Sequence, residues 1–232
     1  APERDGGIPN GARLELDVTG LGHVVGTVVG KSALGLHVKF AGDDVDVATR
    51  VRARVAELEA DYRPMIQRAE RAAARIIEAL DGAVARNEIA FSDLFDTNYR
   101  PIKGSAPIQY ETPAIAALER ILPPVQEDIL AEDKRMAFCA SVDINGWLPV
   151  HNKIYSQPQR PGELVWNTAN SRNKRIYDDR TGLLAARNTR PFLVQSYLRD
   201  LGGGNIVAMK EIDIPIWVQG RHWGGFRTAY RM

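Results

Sequence analysis

A single cysteine, Cys139, stands among 232 residues, so no disulfide can close within the chain. A reducing compartment, the cytoplasm, is the expectation that follows. There are only four histidines, and no H-x-x-x-H or C-x-x-C spacing that would gather the three or four ligands of a metal centre. No apolar run approaches the roughly 20 residues that span a bilayer. The opening Ala-Pro-Glu-Arg-Asp-Gly-Gly lacks the basic-then-apolar order of a signal peptide. It also lacks an initial Met, as a piece of a longer chain would. With 30 basic against 29 acidic residues the net charge is +1, too little for a global field toward nucleic acid or membrane. A G-x-S-x-G elbow, a phosphate loop and a dinucleotide fingerprint are all absent, so no enzyme is expected.

What is present falls into three zones. In the first, Leu14, Leu16 and Val18 alternate with Arg13, Glu15 and Asp17, the period of a half-buried strand. Val24 to Val29 and Leu34 to Phe40 read as two more, with Lys31-Ser32-Ala33 turning between them. Three short antiparallel strands need support from elsewhere.

The second zone is helical. Asp43, Asp44 and Asp46 precede it, where the helix dipole favours acids. Val51, Val55, Leu58, Tyr62 and Ile66, then Ala69, Ala73, Ile76 and Leu80, make a long apolar seam. Pro64 is expected to kink this helix or to start a second. The seam fits either a coiled-coil homodimer through residues 47–84 or packing on the chain's own sheet. A short helix is expected at Ser92–Phe95. Another runs from Thr112-Pro113 to a stop at Pro123-Pro124, and one more from Val125 to Asp133.

The third zone is mainly strand. Met136 to Val142 ends in the turn signal Asp143-Ile144-Asn145-Gly146. Trp147 to His151 resumes it, with Pro149 marking an edge or irregular strand. Phe192–Leu198, Ile206–Ile216 and Gly224–Tyr230 follow, with Gly202-Gly203-Gly204 as a hairpin turn. Helices followed by a hairpin-rich sheet predict an α+β fold with one antiparallel sheet.

The segment Val142-Asp143-Ile144-Asn145-Gly146, then Leu148-Pro149-Val150-His151-Asn152, resembles the D-x-N-G-x-x-x-x-H-N pattern of Cache-type sensors. The runs Asn173 to Gly182 and Pro215 to Arg227 are similar to the sensor region of some bacterial methyl-accepting chemotaxis proteins. That resemblance covers residues 47–232. It implies long helices packed on a PAS/Cache-like sheet, a small-molecule ligand, and signalling partners in the rest of a chemoreceptor chain and its kinase-coupling machinery. Within a first unit of residues 1–46, residues 11–40 separately resemble the second half of a PilZ barrel, through Gly26-Thr27-Val28-Val29 and Gly35-Leu36-His37-Val38-Lys39-Phe40. The PilZ family binds cyclic di-GMP, yet here only Ser32 and Gly35 of the binding segment remain and no paired arginines precede it.

The densest polar cluster is Arg172, Lys174, Arg175, Asp178, Asp179, Arg180 and Arg187. Arginine's planar fork suits a carboxylate or another anion, with Tyr177 and Trp166 covering the ligand's apolar side. The competing reading pairs Arg175 and Arg180 with Asp178 and Asp179 to fix a loop. His151 and His222 could donate to an anion, or haem could be ligated, or each could make only a structural hydrogen bond. No cofactor is expected. The alternatives to a ligand-binding sensor are a ligand-free dimerisation and docking module, a haem- or cyclic di-GMP-responsive sensor, and an enzyme using His222 with Asp178 or Asp179.

Overall fold

The computed structural model describes residues 7–32, 35–40, 45–200 and 204–231, apart from the side chains of residues 45, 59 and 200. Asp43 and Asp44 before the long helix, Ala33 and Leu34 at the second turn, and Gly202 and Gly203 of the late hairpin lie outside them. The fold is mixed α+β: an N-terminal three-stranded sheet, central helices and a four-stranded antiparallel sheet. The chain divides into two compact units, Ala1–Pro64 and Met65–Met232.

In the first unit, strands β1 (Arg13–Val18), β2 (Gly22–Ser32) and β3 (Gly35–Phe40) pair antiparallel in that order. The support they need comes from the start of helix α1 (Val45–Ala85). Val24, Val28 and Val47 are buried, and Arg50 Nη1 donates to the carbonyl of Leu21 at 2.6 Å and of His23 at 3.2 Å. The first compact unit runs on to Pro64, and the first turns of α1 pack with the small sheet.

Pro64 does not interrupt α1. The carbonyl it leaves unpaired belongs to Ala60, and both residues are exposed, so water can take the place of the lost backbone donor. Beyond it Ile66, Ala69, Ala72, Ala73, Ile76, Leu80 and Ala83 are buried. The short helix is α2 (Phe91–Leu94), and β4 (Arg100–Pro101) pairs with β5 (Tyr110–Glu111).

The two helices expected around Pro123-Pro124 are one, α3 (Ile115–Glu132). The residues four positions before the prolines, Glu119 and Arg120, are exposed, while Leu118, Leu122, Val125, Gln126 and Ile129 form one buried face. Continuous burial outweighs the local stop signal.

The main sheet has the order β6-β11-β10-β9, built from β6 (Met136–Asp143), β9 (Leu193–Asp200), β10 (Ile206–Val218) and β11 (Arg221–Arg231), every pair antiparallel. Between β6 and β9 the chain makes β7 (Trp147–Leu148), a 3-10 turn (Lys153–Tyr155), α4 (Leu164–Asn170), β8 (Arg175–Ile176) and α5 (Arg180–Ala186). β7 ends just before Pro149, which lacks the N–H to extend the ladder.

Strand alternation sorts the sheet's neighbours onto two faces. Cys139 directs its thiol at the Gln126 carbonyl of α3, 3.0 Å away, and the backbone N–H of Ser141 donates to Gln126 Oε1 at 3.1 Å. Phe138, Ala140 and Val142 instead join Ala186 of α5, Met209 and Ala229 in a core cluster. At Gly225 a side chain would meet the carbonyl of Ala185, so α5 lies against β11 at a distance that only glycine permits. The second face, under α5, is where the charged residues gather.

Candidate functional site

The D-I-N-G turn anchors the segment that walls the site. Asp143 Oδ1 accepts from the backbone N–H of Asn145 and of Trp147, both at 2.9 Å. Its other oxygen receives the Tyr99 hydroxyl at 2.5 Å. Gly146, at φ +80°, lies where any Cβ would strike the Tyr177 carbonyl, and the Tyr177 N–H donates back to the Gly146 carbonyl at 2.9 Å. The segment after β8 is thereby held across the mouth of the sheet.

His151 and Asn152 follow. Asn152 is fully buried; its Oδ1 accepts from the Cys139 N–H at 2.8 Å and its Nδ2 donates to the Gln126 carbonyl at 3.2 Å. This fixes His151, whose Nδ1 accepts from the Asn152 N–H at 2.8 Å. The ring proton therefore resides on Nε2. Burial holds the imidazole well below its ordinary pKa, reinforced by the charges of Arg199, Arg172, Arg227 and Arg175.

These elements enclose a cavity of about 320 Å³. Its floor is Phe138, Arg199 and Arg227 from the sheet; His151 closes one end; Thr168, Arg172, Arg175 and Tyr177 wall it; Asp179 stands at the exposed rim. Asn167 shapes the wall, its amide donating to the carbonyls of Ala106 and Arg160, each at 2.9 Å. Arg172 Nη1 donates to the Thr168 carbonyl at 3.0 Å and Arg175 Nη1 to the same oxygen at 3.4 Å, with Tyr177 beside both guanidinium groups.

Of the residues singled out in the sequence, His151, Arg172, Arg175, Tyr177 and Asp179 come together here. Asp178 and Arg180 are exposed and do not line it. The chain turns into α5 at this point, with Asp179 Oδ1 capping the helix by accepting the Gly182 N–H at 3.0 Å. Helical rather than extended geometry carries Arg180 and Arg187 to a separate open groove with Leu183, Leu184 and Arg190. Arg187 Nε donates to the Ile144 carbonyl at 3.2 Å. Trp166 lies in an open groove along α4 with the Arg160 guanidinium 3.7 Å over its ring. His222 lines a cleft of about 90 Å³ with Phe95, Asp96 and Arg221. The internal pairing expected as the alternative, Arg175 with Asp178, is not formed: Arg175 meets the Thr168 carbonyl instead.

Sequence reasoning missed Arg199 and Arg227. Arg227, on β11, grips Glu211 of β10 through Nε at 2.9 Å and Nη2 at 3.0 Å. Burial opposes its charge, but the Glu211 carboxylate outweighs that and keeps the guanidinium firmly protonated. Asp213 lies next to this pair and takes Gln195 Nε2 at 2.9 Å. Burial, then the charge of Glu211, pushes its carboxyl well above the usual range. Arg199, on β9, is only 4% exposed and is flanked by the rings of Phe138 (4.4 Å) and Tyr155 (4.7 Å). The signal that could have found Arg199 is the row of polar residues on one face of β9, Gln195, Tyr197 and Arg199, and the alternate acids Glu211 and Asp213 on β10 call for a buried cation such as Arg227.

Cys139 is buried, with its thiol pushed up to about 12 by burial, as expected of an inert core cysteine. Among the described residues no cluster of histidine, cysteine and acids could hold a metal ion, and no helix is long and apolar enough to cross a membrane. No family model matches the chain and no curated protein matches it. Among solved structures it has a distant match to an extracellular ligand binding receptor from Desulfohalobium retbaense DSM5692, at 12% identity and a TM-score of 0.33. The match covers 90% of this chain but only 28% of that receptor, so the chain spans just over a quarter of the receptor's length.

Proposed function

We propose that this chain is the sensory module of a bacterial chemoreceptor, cytoplasmic and non-catalytic, which binds a small anion between its main sheet and the 172–179 wall. The observation that carries the reading is the cavity's charge. Two arginines from separate elements, Arg175 on β8 and Arg199 on β9, face one enclosed space beside Arg172 and Arg227, and the carboxylate among the lining residues, Asp179, stands at the exposed rim. Gathering like charges in a desolvated place is costly unless an anion offsets them. The Cache/PAS-like resemblance of the D-x-N-G and closing segments supports the same reading, since those residues build the wall and the sheet.

Signalling would pass as a population shift, with the ligand favouring one arrangement of the module over another. The test is a thermal-shift screen of small carboxylates and phosphates on the wild type and on Arg175→Gln. At least one anion should raise the melting temperature. Arg175→Gln should weaken that anion by about 1.5–3 kcal/mol, roughly ten- to a hundredfold. No stabilisation by any anion would favour a ligand-free docking module.

The reading includes a homodimer through the 47–84 helix. Val51, Val55, Leu58, Tyr62 and Met65 recur at alternating steps of four and three, the coiled-coil period, and none of them is buried, Val55 being 47% exposed. Leu58→Asp should turn a dimer into a monomer in sedimentation. A dimer that survives it places the contact elsewhere.

A further inference from the structure

Arg199 carries two buried polar atoms, Nε and Nη2, that have no hydrogen-bond partner among the described residues. They form one edge of the guanidinium, the side-on fork that binds two oxygens in its own plane. The same sheet shows that fork filled: Arg227 uses Nε and Nη2 to hold both oxygens of Glu211. On Arg199 the rings of Phe138 and Tyr155 lie against the guanidinium. Nearby, His151 has committed Nδ1 to the Asn152 N–H, so its remaining polar atom is the donor Nε2–H.

We infer that the cavity takes an organic carboxylate, gripped in plane by the Nε/Nη2 edge of Arg199 with His151 as an accessory donor. This rests on the anion-binding reading above and deepens it by naming the anchor and the ligand class. The inner groups, Arg199 and His151, offer donors, and an ionised carboxylate is an acceptor on both oxygens. A flat two-oxygen group matches the single fork, and the apolar surface of Phe138, Leu148 and Tyr177 accepts the carbon skeleton behind it. A phosphate carries a third oxygen with no second fork at the floor, since Arg227 is already engaged by Glu211.

The test is calorimetry on the whole chain with acetate, propionate, succinate, malate and inorganic phosphate. At least one carboxylate should bind at one per chain, at least tenfold tighter than phosphate. Arg199→Lys, which keeps the charge but loses the fork, should weaken it at least tenfold. Because Arg199 is buried, the wild type gives a second readout: one arginine Nε–Hε signal in its NMR spectrum should shift on saturation with that carboxylate. Phosphate binding more tightly than every carboxylate would overturn the ligand class while leaving anion binding standing. A folded Arg199→Lys protein with unchanged affinity, or arginine Nε–Hε signals that do not move, would remove Arg199 as the anchor. No binding of any anion would overturn both readings.

Discussion

Arg227→Ala should lower the stability of the module by about 3–5 kcal/mol, the cost of stranding one member of a buried ion pair. Arg227 and Glu211 are 5% and 0% exposed and share two hydrogen bonds. Without the guanidinium, Glu211 would be left with the carboxyl of Asp213 and the amide of Gln195 as its near partners. Removing both charges together is a different matter, because no ion is then left desolvated. Arg227→Met with Glu211→Leu should recover most of the loss. Urea unfolding of the two proteins measures this directly. A single variant within about 1 kcal/mol of wild type would show that the pair is far better hydrated than its burial indicates.

Asp213→Asn should act in the opposite direction and stabilise the protein at pH 7. The Asp213 carboxyl is raised well above its ordinary 3.8 by burial and by Glu211. The folded state thus retains a proton that the unfolded chain releases. Stability from this group is complete below about pH 3.8 and is lost as the pH climbs toward the folded-state value, at up to about 1.4 kcal/mol per pH unit. An asparagine is neutral throughout and still offers Gln195 an acceptor. The gap between variant and wild type should therefore be small at pH 4 and widen through pH 5.5 to pH 7. His151 has the reverse linkage: its depressed pKa gives stability that is full above about 6.5 and falls below it. Because both proteins carry His151, that share cancels in the comparison. A wild type as stable as the variant at pH 7 would mean that Asp213 is ionised in the fold.

Much of this architecture was legible because burial imposes periods. β1 alternates, the later part of α1 repeats its apolar residues every three or four positions, and β10 and β11 are long strands separated by the turn signal Gln219-Gly220. What failed were local signals overruled by packing. Pro123 and Pro124 announce a stop, yet α3 passes through them because its buried face continues from Leu122 to Val125. The candidate site was half legible. The 172–180 segment draws attention by charge density, and its inner members do reach the cavity. Its outer members do not, because the cap at Asp179 switches the chain from extended to helical. Arg199 escaped because one arginine in an alternating strand looks like a solvated residue; only the position of β9 in the sheet, and the two rings beside it, turn its side chain inward.

The wall over the cavity is held by scattered ties to several segments, among them Arg172 N–H to the Tyr155 carbonyl and Lys174 to Glu111 and Glu119, rather than by a long ladder. Main-chain hydrogen bonds tie it on either side: Tyr110 N–H to the Lys174 carbonyl, Lys174 N–H to the Leu148 carbonyl, and Tyr177 N–H to the Gly146 carbonyl. The floor, by contrast, belongs to a sheet whose central strands are paired along 10 or more residues. Peeling away the wall breaks these ties and leaves the sheet's own pairing untouched. Under the proposed function, a ligand would exchange through local opening of this wall while the sheet beneath it keeps its pairing.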